Sequence, residues 1–135
     1  MTLEQVEKLV KDGKIKSYTI DKKGFKPVKE VKPDPKGLAH IKSMLNTLNI
    51  PYETEYKFCK TRKFRADIAV LQYRLIIEYD GLFSAKSRHT TVTGFTNDHR
   101  KFNIATIEGW SVLKYTALNH AEFDNDIIQF LLKFN

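Results

Sequence analysis

Two runs of the chain, Arg65-Ala66-Asp67-Ile68-Ala69-Val70 and Leu75-Ile76-Ile77-Glu78-Tyr79-Asp80-Gly81, read as buried β-strands, yet they carry three carboxylates. Strand interiors disfavour Asp, and charged groups are almost never buried without a partner. Side chains alternate along a strand, so Tyr73, Leu75, Ile77 and Tyr79 share one face. Arg74, Ile76, Glu78 and Asp80 share the other. Glu78 and Asp80 then stand roughly 6–7 Å apart along one edge. If the two runs pair as a hairpin, Asp67 can face them from the neighbouring strand. Two such charges near a protein surface repel by roughly 2–3 kcal/mol at an effective dielectric of about 20. A divalent cation removes that repulsion, which makes a metal site the first expectation.

The rest of the chain is consistent with one folded domain carrying such a site. Its 135 residues are enough to bury a core, and 41% hydrophobic content is ordinary for a globular protein. No apolar run approaches a membrane span, and Met1-Thr2-Leu3-Glu4-Gln5 lacks the apolar core of a signal peptide. The expectation is an intracellular protein with no membrane partner. Cys59 is the lone cysteine, which excludes an internal disulfide and a CxxC motif. A net charge of +7 points toward polyanions.

Residues 1 to 36 differ from the remainder of the chain and read as a basic N-terminal arm or small appendage. Thr2 and Gln5 form a capping-box pattern that opens a helix through about Lys11, with Gly13 ending it. Ile15 to Ile20 alternates weakly, as a small strand would. Lys32-Pro33-Asp34-Pro35 excludes helix. From 37 to 135 the pattern is that of an α/β domain. Leu38, Ile41, Leu45 and Leu48 repeat at helical spacing up to Ile50-Pro51. Three strands are expected at Thr54 to Cys59, Phe64 to Leu71 and Tyr73 to Tyr79, the last two joined by a tight turn at Gln72. Ser84 to Gly94 shows neither period. Phe95 to Ile107 predicts a helix packing Phe95, Phe102 and Ala105; Trp110 to Tyr115 predicts a strand. Ala121 to Phe134 predicts a closing amphipathic helix. The order gives helices around a mixed sheet.

Hard oxygen ligands suit Mg²⁺, with Mn²⁺ able to substitute, and a metal held near a phosphodiester polarises it and acidifies a bound water. Asp67, Glu78 and Asp80 are the candidate ligands. Lys101 is a candidate cation at the reacting phosphate, with Arg100 as an alternative. Asp98 and Lys101 are spaced i, i+3 and share a helix face. Glu55, one strand earlier, is a candidate auxiliary acid. Lys57, Lys60, Arg62 and Lys63, with Arg65, form a basic run that could hold a nucleic-acid backbone. Arg88 and His89 come later, in the loop, where His89 could bind phosphate or move a proton. Plainer roles remain open for each. Asp67 could pair with Arg65 or Arg74, Asp80-Gly81 could be only a turn, and the basic run could be a solvated face. His40, His99 and His120 have no zinc-ligand spacing and read as structural or surface residues.

Together these motifs resemble the PD-(D/E)XK nuclease superfamily, and within it small phage and bacterial endonucleases similar to very-short-patch-repair-like proteins. The resemblance spans about residues 37 to 117. It rests on Arg65-Ala66-Asp67, Glu78-Tyr79-Asp80-Gly81, Arg88-His89, Asp98-His99-Arg100-Lys101-Phe102-Asn103 and Gly109-Trp110-Ser111-Val112-Leu113-Lys114-Tyr115. It implies a restriction-endonuclease-like α-β-β-β-α-β core and a Mg²⁺-dependent endodeoxyribonuclease in the cytoplasm of a bacterial cell or phage-infected host. DNA is the implied partner rather than RNA, and a homodimer is left open. One departure bears on chemistry. Asp80 stands where the motif places a lysine, so either Asp80 joins the metal ligands or a lysine elsewhere, Lys101, takes over. If neither holds, the alternative is a non-catalytic nucleic-acid-binding module on a nuclease fold.

Overall fold

The computed structural model describes residues 2–14, 18–21, 24–27, 32–81 and 91–134. Its contacts divide the chain into two compact units, Met1–Pro33 and Asp34–Asn135. In the first unit, helix α1 (Leu3–Lys11) opens with the capping box that Thr2 and Gln5 predict. The Thr2 hydroxyl accepts from the Gln5 N–H, and the Gln5 side-chain carbonyl oxygen accepts from the Thr2 N–H at 2.9 Å. Strands β1 (Tyr18–Asp21) and β2 (Gly24–Pro27) pair as an antiparallel hairpin. The alternation seen at Ile15 to Ile20 falls partly outside the described residues.

The second unit is built on a four-stranded mixed sheet in the order β3 (Glu53–Lys57), β4 (Arg65–Val70), β5 (Leu75–Asp80), β6 (Ser111–Thr116). The first three strands form an antiparallel meander, and helix α3 (Val92–Ile107) carries the chain over to β6, parallel to β5. The expected core order is therefore present. Helix α2 (Lys36–Thr47) and helix α4 (Phe123–Leu132) cover one face, where Ile41, Leu45, Phe123, Ile127 and Phe130 meet Ile68, Val70, Leu75, Ile77 and Tyr115. Against the other face, Ala105 and Trp110 meet Phe58, Cys59, Ala66, Ala69 and Ile76. The alternation of β5 accounts for this division: its odd positions fill the first core, while Ile76 begins the second face and Glu78 continues it.

Three differences from the expected elements have physical causes. The β4–β5 connection is a 3₁₀ turn at Leu71–Tyr73 ending in Arg74 with φ +47°, so it is longer than a tight turn at Gln72 alone. Three contacts offset the left-handed backbone of Arg74. Its guanidinium donates to the Glu108 carbonyl at 2.5 Å and lies 4.6 Å from the centroid of the Trp110 ring, and its own carbonyl accepts from the Ser111 N–H at 2.9 Å. Helix α3 begins at Val92 rather than Phe95, because the Thr91 hydroxyl caps it by accepting from the Gly94 N–H at 3.0 Å. Phe95 does not pack into the core. It is 56% exposed and lies against His99, whose ring centroid is 4.3 Å away.

Candidate active site

The β4–β5 ladder pairs Val70 with Leu75, Ala69 with Ile76 and Ile68 with Ile77, while β5 stays paired with β6 through Asp80. Beyond Ile68, a side chain takes over from the ladder. The Asp67 carboxylate accepts from the Tyr79 backbone N–H at 2.9 Å. A carboxylate thus replaces a strand carbonyl as acceptor, which gives a half-buried Asp a structural reason to stand in an apolar strand.

Glu78 lies beside it. The Lys101 ammonium forms an ion pair with Glu78 Oε1, and the two side chains are only 8% and 12% exposed. Lys101 reaches this position because α3 turns it and Ala105 toward the sheet. Burial pushes the Glu78 carboxyl up to about 8; the charge of Asp67 and a hydrogen bond with it push in the same direction, and Lys101 opposes them. The pair is therefore one ammonium set against two crowded carboxylates.

These groups line a cleft of about 100 Å³ with Tyr79, Asp80, Asp98, Phe102, Lys114 and Tyr115. A neighbouring cavity of about 330 Å³ shares Asp67, Asp98 and Lys101 with it and adds Glu55, Lys63 and Arg65. A third, of about 320 Å³, shares Asp80, Asp98, Phe102 and Lys114 and adds Phe95, His99 and Asn103. Three cavities thus adjoin one another along the face between α3 and the sheet. Glu55 joins this run in an uncommon conformation. It falls opposite Asp67 in the register that pairs Thr54 with Ile68 and Tyr56 with Ala66, and its φ is +50°. A left-handed backbone costs a non-glycine residue about 1–2 kcal/mol, and strain of this kind is concentrated at functional sites.

The structure brings together Asp67, Glu78, Asp80 and Lys101, with Asp98 and Glu55. Of the basic run, Lys63 and Arg65 line the neighbouring cavity rather than the cleft itself. Lys57, Lys60 and Arg62 are exposed and line none of the three cavities, and the Arg62 guanidinium lies 5.7 Å from the centroid of the Phe64 ring. Arg100 is also exposed and donates to Asn97 at 3.0 Å. Arg88 and His89 lie outside the described residues. Arg74 is engaged at Trp110 and Glu108, so it is not the plain salt-bridge partner of Asp67. His99 lines the third cavity, which its reading as a structural or surface residue did not anticipate. His40 pairs with Asp124 at 2.8 Å and touches the ring of His120, which suits a structural role. Lys114 stands out in the sequence only as part of a strand motif; the signal for it is its alternation with Val112 and Thr116 on a strand parallel to β5.

Among the described residues no three His, Cys, Asp or Glu side chains are grouped to hold a metal ion. That does not count against Mg²⁺, which is typically held by one or two carboxylates, with water and substrate phosphate filling its octahedron. Asp67 and Glu78 suit such a cation: both offer hard oxygens, and the charge of Asp67 lies close enough to disfavour that of Glu78.

No protein-family model matches the sequence, and no curated protein matches it. Among solved structures, the chain is similar to the homing endonuclease I-Bth0305I catalytic domain. The TM-score is 0.50 at 21% identity, over 75% of this chain and 91% of that domain. The fold is that of a nuclease domain. At this identity the likeness speaks for the arrangement of strands and helices, and the chemistry of the site rests on its own geometry.

Proposed function

We propose that this chain is a Mg²⁺-dependent endonuclease of the PD-(D/E)XK type, hydrolysing DNA phosphodiester bonds, and similar to the small very-short-patch-repair-like enzymes. One observation carries the reading. Asp67 and Glu78 converge with Lys101 in a single cleft on a nuclease fold, and burial beside Asp67 raises the Glu78 carboxyl to about 8. Asp67 and Glu78 would hold the cation; Asp80 lines the same cleft but is not grouped with them as a third ligand. When bound, the cation supplies Lewis acidity toward the phosphoryl oxygens and lowers the pKa of its water.

The chain's own residues have distinct tasks in this reading. Lys101 opposes the elevation of Glu78, so a bound cation has less to overcome in drawing off its proton. The Tyr79 N–H fixes the Asp67 carboxylate. Glu55 and Asp98 line the adjoining cavity with Lys63 and Arg65, where either could accept the proton of the attacking water. Lys63 and Arg65 would position the DNA backbone, as would Arg88 and His89, without reading sequence.

The test is to incubate purified protein with duplex, single-stranded and branched DNA, with and without Mg²⁺ or Mn²⁺. Cleavage that needs the metal and is lost in Glu78→Ala is expected. No metal-dependent cleavage of any form, or cleavage untouched in Glu78→Ala, refutes the enzyme. Salt-sensitive binding that survives Glu78→Ala without cutting would instead mark a non-catalytic nucleic-acid-binding module.

A further inference from the structure

Phosphodiester cleavage builds negative charge on the phosphoryl oxygens, and a cation aimed at them is worth more in a partly enclosed cleft than in water. Lys101 is the obvious cation, but its ammonium is committed to Glu78 and its side chain is only 8% exposed. Freeing it would leave Glu78 buried beside Asp67 without its counter-charge. A cation that must meet a phosphate needs an accessible head and a mobile stem.

Lys114 has both. In the parallel β5–β6 register it pairs with Glu78, between Leu113 opposite Ile77 and Tyr115 opposite Tyr79. It lines the cleft of Asp67, Glu78 and Lys101, and also the adjoining cavity of Asp80, Phe95, His99 and Asn103. Its side chain is exposed, and its ammonium lies 4.1 Å from the centroid of the Phe102 ring. The Lys101 ammonium lies 5.7 Å from that same ring, so both lysines share Phe102 as a neighbour. An ammonium resting on an aromatic face keeps its N–H donors available on the outer side.

We propose that Lys114 is the phosphate-binding cation of the cleft, taking a non-bridging oxygen of the reacting phosphodiester. Lys101 then serves as a positioning residue for Glu78. Lys114 thereby supplies, from the adjacent strand, the positive charge that Asp80 does not supply on β5. It forms no covalent bond and gives up no proton; its contribution is electrostatic. The proposal rests on the nuclease reading.

The experiment compares wild type, Lys114→Gln and Lys114→Arg on one DNA substrate that the wild type cuts. Single-turnover cleavage in Mg²⁺ is expected to fall about 100-fold or more in Lys114→Gln, and to recover in large part in Lys114→Arg. Binding in Ca²⁺ is measured as a function of salt. Lys114→Gln should flatten the slope of log affinity against log salt by about one, as loss of one phosphate contact does. The thermal midpoint should stay put, because the side chain is exposed; a residue that only supported the fold would move the midpoint and leave the salt slope unchanged. Wild-type cleavage in Lys114→Gln, an unchanged salt slope, or an arginine variant no better than glutamine overturns the proposal. If the wild type cuts no DNA at all, the nuclease reading has failed and the role of Lys114 falls with it. If the wild type cuts and Lys114→Gln cuts equally, only the role of Lys114 falls.

Discussion

Replacing Glu78 by Gln should flatten the pH dependence of stability, and the structure sets both the sign and the size of the effect. The folded protein holds the Glu78 carboxyl at about 8 against an ordinary 4.5, with burial as the leading cause and Asp67 adding to it. Between those two values the folded chain keeps a proton that the unfolded chain releases. Stability from this group is therefore fully present below pH 4.5 and is lost as pH rises through 8. The slope approaches about 1.4 kcal/mol per pH unit, so the window is worth on the order of 3–5 kcal/mol. Gln matches the protonated carboxyl in shape and cannot ionise. Removing the partner of Lys101 lowers absolute stability, but the quantity read is the slope. Urea unfolding of both proteins at half-unit steps across this range should give curves that converge toward alkaline pH. Millimolar Mg²⁺ should flatten the wild-type curve by binding the ionised form, and should leave the variant unmoved. Parallel wild-type and variant curves would refute the reasoning.

At Gly37, in the first turn of α2, a Cβ would stand 2.7 Å from the Tyr79 hydroxyl oxygen and 2.8 Å from its Cζ. Gly37→Ala should therefore cost about 1–2 kcal/mol by overpacking, despite alanine's helix propensity; in a Tyr79→Leu background the cost should disappear, and its persistence in a denaturation cycle would exclude the clash. Asp67→Ala leaves the Tyr79 N–H without its acceptor, so about 1–3 kcal/mol of stability should be lost. The same change should lower the Glu78 carboxyl from about 8, leaving it above 4.5 because burial remains, which a ¹³C NMR titration would read. Tyr115→Phe removes a hydroxyl donating to Asp126 at 2.8 Å and should cost about 1 kcal/mol by thermal unfolding; a more stable variant would count against that bond.

Much of the site was legible because strand alternation is rigid. Once β5 buries Leu75 and Ile77 on one face, Glu78 must project to the other, whatever lies there. The Thr2–Gln5 cap was legible for a similar reason: its hydrogen bonds are local. The start of α3 was not, because Thr91-Val92-Thr93-Gly94 combines β-branched residues with glycine, all poor helix formers, and only the cap reveals the turn. Phe95 shows a second limit. Helical spacing groups Phe95 with Phe102, but it does not say where along the axis the sheet ends and a cavity begins. The left-handed backbone of Glu55 has no sequence signal, since its residue type argues against it. The partnership of Lys114 with Glu78 needs the parallel register, which two residues so far apart in the chain cannot announce locally.

The position of the carboxylates reflects a conflict between fold and site. The β4 and β5 strands are held by Ile68, Val70, Leu75 and Ile77, all fully buried on the face of α2 and α4. That face alone would favour extending the β4–β5 ladder. Instead the paired residues stop at Ile68 and Ile77, and Asp67 caps the Tyr79 N–H with its side chain. Continuing the ladder would have satisfied that N–H with a carbonyl, at no electrostatic cost. Using a carboxylate places a negative charge next to Glu78, which adds to the rise that burial causes in the latter's carboxyl and that Lys101 opposes. A fold selected for stability alone would gain by replacing all three with apolar residues, as buried ion pairs commonly allow. The arrangement makes sense if the two carboxylates are kept close to share a cation, with the stability lost on one face offset by the core on the other.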